Sequence, residues 1–135
     1  MDVRFHCSKR VRHSAKKSKH GVLETCRVVQ QVLRLNPHYG VSIPRFQDLR
    51  KMRLQVPGLN VGKSGGYRLI YRAEEMDEAV HIVFLETYFK GDAEDLSHGE
   101  YKALSVAANA IFSQPMLYDW DCPSERPLPS TSARN

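Results

Sequence analysis

The sequence predicts an α+β domain: an N-terminal strand, a helical hairpin, a three-stranded antiparallel meander and a C-terminal helix. Three observations lead there. Residues 22–35, VLETCRVVQQVLRL, place Val22, Cys26, Val29 and Leu33 at helical spacing. Residues 50–89 hold three runs that alternate with period two or are apolar throughout. Residues 96–112 return to helical spacing behind a Ser-x-x-Glu capping box at Ser97 and Glu100.

Each element has its own signal. Val3, Phe5 and Cys7 alternate from Asp2 to Cys7, as in a strand. Residues 8–20, SKRVRHSAKKSKH, form a basic helix with few apolar anchors and Ser8 as its N-cap; Gly21 ends it. The long helix after Gly21 stops at NPHYG, because Pro37 cannot continue it. In RKMRLQV, Met52, Leu54 and Val56 face one way and Lys51, Arg53 and Gln55 the other. YRLIYRA sets Tyr67, Leu69 and Tyr71 opposite Arg68, Ile70 and Arg72. AVHIVFLETYF is apolar on both faces, the mark of a buried central strand. The acidic EEMDE before it reads as a hairpin loop. In the last helix Tyr101, Leu104, Ala108, Ile111 and Phe112 share a face, and Pro115 follows its end. Residues 1–113 are expected to be the folded domain, and the Pro/Ser-rich residues 114–135 a tail.

The chain has 135 residues, 41% of them hydrophobic, enough for one domain with a real core. No apolar run is long enough to span a bilayer, and the N-terminus lacks an apolar signal core. A cytoplasmic protein without membrane contact is therefore expected. Cys7, Cys26 and Cys122 are widely spaced thiols expected to be reduced, and neither they nor the six His residues show metal-ligand spacing. No metal and no cofactor is expected. The net charge of +5 is unevenly spread. Residues 1–20 carry seven Lys/Arg against one acid, and residues 45–72 repeat that ratio. Residues 73–100 carry nine acids and one Lys. Basic blocks of this kind suit a nucleic acid or an acidic partner, or a plain solvated face.

Gly62-Lys63-Ser64 looks like the tail of a phosphate-cradling loop, but the first glycine of that pattern would fall on Pro57, and a strand follows instead of a helix. Period two offers another use for these cations. Lys51 and Arg53 share a face, as do Arg68 and Arg72; Glu86, Tyr88 and Lys90 share a parity on the third strand. In a meander these sets can form one basic face, with the apolar face under the helices. Arg grips phosphate with a planar fork and Lys as a point charge. Such a cluster can stabilise a phosphorane without a metal.

The stretches LRKMRLQVPGLNVGKSGGYRLIYR and VHIVFLETYFKGDAEDLSHGEYKAL, with LRLNPHYGVSIPRFQDLRKMRL upstream, resemble the RelE/ParE toxin superfamily, nearest its RelE/HigB-like branch. The resemblance covers roughly residues 3–112. It implies a type II toxin–antitoxin toxin that cleaves mRNA on the translating ribosome, held inactive by a cognate antitoxin. It makes Arg68 the phosphate-binding Arg, with Lys51 and Arg53 on the preceding strand and Lys90 at the end of the last strand as further catalytic cations. Lys63 at the glycine turn and Arg72 would face RNA. The general acid/base stays open among Tyr88, His98 and Tyr101, because KGDAEDLSHGEY departs from the family pattern there. Two other outcomes remain: a ParE-like toxin that inhibits DNA gyrase, and a module that only binds its antitoxin.

Overall fold

The structure, a computed structural model, describes residues 2–17, 21–56, 66–90 and 95–113. Eight elements follow in order: β1 (Asp2–Cys7), α1 (Lys9–Lys17), α2 (Val22–Leu35), β2 (Val41–Ile43), β3 (Phe46–Leu54), β4 (Tyr67–Met76), β5 (Ala79–Phe89) and α3 (His98–Ser113). The strands form one five-stranded sheet in the order β1-β5-β4-β3-β2. Four of its strands pair antiparallel, and β1 joins the edge parallel to β5, so the sheet is mixed.

The sheet is larger than the expected three-stranded meander. The antiparallel run β3-β4-β5 sits inside it, and β1 and β2 form the edges. The strand β3 begins at Phe46 and follows β2 through a tight turn in which Arg45 takes φ 71. Pro44 and the brevity of β2 hide this pair from a periodicity reading. The EEMDE segment is mostly strand rather than loop. The strand β4 runs through Met76, which pairs with Ala79. Only Asp77 and Glu78 turn the hairpin, at φ 52 and φ 63, the positive values a two-residue I′ turn requires.

Helices cover both faces. On one, α1 and α2 supply Val11, Val22, Cys26, Val29 and Leu33 against Met52, Leu54, Leu69, Tyr71 and Phe84. On the other, α3 lays Tyr101, Leu104, Ala108 and Ile111 on Leu49, Ile70, Val83 and Leu85. The polar face expected from period two is therefore half covered. Burying side chains of this size contributes about 1.5–3 kcal/mol each, enough to hold a helix there.

Local chemistry fixes the ends. Ser8 Oγ accepts the Val11 N–H at 3.1 Å and donates to the Leu85 carbonyl at 3.1 Å, capping α1 and tying it to β5. At α3 the capping box closes reciprocally: Glu100 N–H donates to Ser97 Oγ at 3.1 Å and Ser97 N–H to Glu100 Oε1 at 2.8 Å. Of the described cysteines, Cys26 is free and buried, whereas Cys7 is disulfide-bonded, contrary to the expectation of reduced thiols. Residues 114–135, expected as a tail, lie outside the described residues.

Tyr71 is fully buried and pins the loop after α2. Its hydroxyl accepts the Gly40 N–H at 2.7 Å and donates to the Pro37 carbonyl at 3.0 Å. A Cβ on Gly40 would lie 2.8 Å from the Tyr71 ring, so only glycine allows this approach.

Tyr71→Phe leaves that N–H and carbonyl without their partner and should cost about 1–3 kcal/mol in urea unfolding. Glu78→Gly relieves a side chain from the left-handed region and should gain about 0.5–1 kcal/mol in the same assay.

Candidate active site

The registers of β3, β4 and β5 assemble the site. Arg53 pairs with Arg68, and Arg68 with Tyr88, giving one row across three strands. The next row is Lys51, Ile70 and Glu86. Simple parity would not have placed Tyr88 with Arg72 and Val83. The pairing steps between Ile70 and Tyr71: Ile70 faces Glu86 and Tyr71 faces Phe84, so Leu85 is an extra residue in β5. That bulge brings Val83 and Tyr88 to the same face despite their odd spacing.

Position decides which candidates stay near the row. Arg53 is exposed and Arg68 half-buried, its Nη1 3.4 Å from the Tyr67 carbonyl. Lys90 follows β5, its N–H donating to the Gly66 carbonyl at 2.8 Å. Gly66 holds φ 85, a value that favours glycine at the start of β4. Lys63 lies outside the described residues. Arg72 shares the face but is enclosed under α3. Its guanidinium meets Glu74 at 2.8 Å, Asp48 at 3.7 Å and the Asn109 side chain, and lies 4.8 Å from the Phe112 ring centre. Its side chain is 14% exposed, so it fastens α3 to the sheet and offers RNA little. His98 is exposed at the start of α3, its ring 5.0 Å from that of Phe46.

Two acids complete the arrangement: Glu86, which the sequence placed in the converging set without a role, and Asp95, which it did not single out. Glu86 has a side chain 8% exposed and is held by Arg10 at 2.6 Å and Ser14 at 3.3 Å from α1. Asp95 is the second. Its Oδ1 accepts hydrogen bonds from Tyr101 at 2.5 Å, from its neighbour Leu96 N–H at 2.8 Å, from Lys51 at 3.3 Å and from Tyr88 at 3.4 Å. The acidic stretch was visible in the sequence, but nothing in its spacing singles out Asp95 over its neighbours.

These contacts set the protonation states. Burial, then the nearby Asp95 carboxylate, pushes the Tyr88 phenol up to about 12. Burial and the hydrogen bond to Asp95 push Tyr101 still higher. Burial alone would raise Asp95, but the bonds from Tyr101, the Leu96 amide and Lys51 outweigh it and hold the carboxyl below its usual range. Both phenols are therefore protonated near neutral pH and can donate a proton but not accept one as phenolate bases. Two Arg, one Lys and a phenol converge on a surface where a phosphate could sit. Among the described residues no group of three or more His, Cys, Asp or Glu could hold a metal ion. No helix among them is long and apolar enough to cross a membrane.

No protein-family model and no curated protein matches the sequence. Nine solved chains match in structure. One is the E. coli toxin RelE, a double arginine-to-alanine mutant in the free state, with a TM-score of 0.53 and 18% identity. The match covers 80% of this chain and 98% of RelE. The protein thus has the α+β fold of a RelE-like toxin.

Asp95→Asn keeps an acceptor oxygen but removes the charge. The Tyr88 phenol should then ionise at lower pH, read as phenolate absorbance against Tyr88→Phe. The lowered Asp95 pKa means its stabilisation is present above about pH 4, the ordinary carboxylate value, and is lost as pH falls through the folded value. The stability gap between wild type and Asp95→Asn should close in that acid range.

Proposed function

We propose that the protein is the toxin of a type II toxin–antitoxin system, a metal-independent endoribonuclease that cuts mRNA on the translating ribosome. The observation that carries this reading is the Arg53–Arg68–Tyr88 row, with Lys51 beside it, on a RelE-like fold. Like charges facing each other across strands destabilise a sheet, and an anionic ligand between them turns that cost into affinity.

The chemistry follows from the groups present. The 2′-oxygen of the RNA attacks the adjacent phosphorus and forms the P–O2′ bond as the P–O5′ bond breaks. The 2′ proton leaves to water. Arg53, Arg68 and Lys51 neutralise the charge that builds on the phosphorane oxygens. Tyr88 donates its proton to the departing 5′-oxygen and regains one from solvent. The products are a 2′,3′-cyclic phosphate and a 5′-hydroxyl. A cognate antitoxin with an acidic segment would mask this face.

A second reading has its own support. Tyr88 and Tyr101 are both held protonated, and His98 sits on Phe46, so no described side chain is placed as a strong base. A ParE-like toxin that binds DNA gyrase needs none.

Primer extension on a reporter mRNA in a purified translation system separates the two. Cuts inside codons that require translating ribosomes are expected. Arg68→Ala should lower the cleavage rate roughly 10²–10³-fold while leaving the fold intact. Intact message in the presence of folded protein would remove the ribonuclease reading, and DNA damage in arrested cells would replace it.

A further inference from the structure

Three donors from three elements meet on one oxygen of Asp95: Lys51 Nζ from β3, Tyr88 from β5 and Tyr101 from α3. The other carboxylate oxygen, Oδ2, takes no hydrogen bond among the described residues. The side chain of Asp95 is 55% exposed, and two of the three contacts, at 3.3 and 3.4 Å, are long for hydrogen bonds. An exposed ion pair of this kind is readily exchanged. Lys51 and Tyr88 thus hold the carboxylate loosely, while Tyr101 and the Leu96 amide hold it closely.

We propose that Lys51, Tyr88 and Tyr101 form a binding position for one non-bridging oxygen of an RNA phosphodiester, and that Asp95 occupies it in the free protein. The inference rests on the reading that this face binds RNA, and adds how the face is kept closed. An ammonium and two hydroxyls are single-point donors that can converge on one oxygen. An Arg fork would instead grip two oxygens of a carboxylate or phosphate at once. The position adjoins the Arg53–Arg68 pair: Lys51 lies two residues, about 7 Å, along β3 from Arg53, and Tyr88 is in register with Arg68. One phosphate can therefore meet both the arginines and this position.

Asp95 then acts as a competitor built into the chain. Apparent affinity falls by the fraction of molecules in which the position is open, so an open fraction of about a tenth costs about tenfold. RNA presented by the ribosome at high local concentration offsets a cost of this size more fully than dilute free RNA does.

The test is binding of a fluorescent 2′-O-methyl oligoribonucleotide, which cannot be cut, at low and high salt. Asp95→Asn should bind about tenfold tighter than wild type, and the gain should persist at high salt, where remote charges are screened. Asp95→Glu, which keeps the charge, should stay within about twofold of wild type. Glu75→Gln, an exposed carboxylate removed from the same sheet, is the control for net charge. An unchanged or weakened Asp95→Asn overturns the proposal, as does an equal gain in Glu75→Gln. Tighter binding of an acidic peptide without tighter binding of RNA assigns the position to a protein partner and also overturns it. Should the Asn variant unfold, Asp95→Ser retains an oxygen for the Leu96 amide and carries the same expectation. Separately, Arg53→Ala without effect on RNA affinity in either background would reject RNA binding by this face.

Discussion

Between Tyr67 and Tyr71, β4 is paired on both sides, to β3 and to β5. That double pairing fixes two things at once, because side chains alternate across a sheet. On the face under α1 and α2 it buries Leu69 and Tyr71 beside Met52 and Leu54. On the opposite face it sets Arg68 next to Arg53. A slip by one residue would relieve the arginines but turn the buried set to solvent. The core therefore dictates the register, and the charged row is a strain that the sheet carries at its surface.

The helix α3 decides how much of that face remains available. Arg72 reaches it through Asn109 and Phe112, and Asp48 through Ser105 at 2.8 Å. Its first turn places Tyr101 on Asp95, and Asp95 in turn on Lys51. Any movement of the helix start is thus felt directly at the lysine. Glu86 and Arg10 give α1 a similar hold on the far side of β5. The site is bounded by two helices tied through side chains, while its cations come from the sheet.

Much of this could be read from the chain. The long apolar spacing of α2, the apolar continuity of β5 and the Ser97–Glu100 box are local signals, written within a few residues of one another. Lys51 and Arg53 were legible for the same reason, since period two alone puts them on one face of their strand; that Arg68 joins them follows from the register of β3 and β4. What escaped is non-local. The placement of α3 over Leu49, Ile70 and Val83 depends on three separate segments. The extra residue at Leu85 shows only once β4 and β5 are aligned. Asp95 matters through Lys51, Tyr88 and Tyr101, which are distant from one another in sequence. Arg72 looks like its neighbours on paper, and only Asp48, Asn109 and Phe112 reveal its different duty.

The parallel pairing of β1 with β5 has a consequence for synthesis. Among the described strands, the earliest in the chain, β1, pairs with the latest, β5. Chains grow from the N-terminus, so Asp2–Cys7 waits with unpaired edges until Ala79–Phe84 has emerged. Ser8, which caps α1 through Leu85 and whose N–H bonds Phe84 at 3.0 Å, waits with it. Contacts between such remote segments close slowly. The nascent chain consequently carries β1 unpaired until β5 has been made.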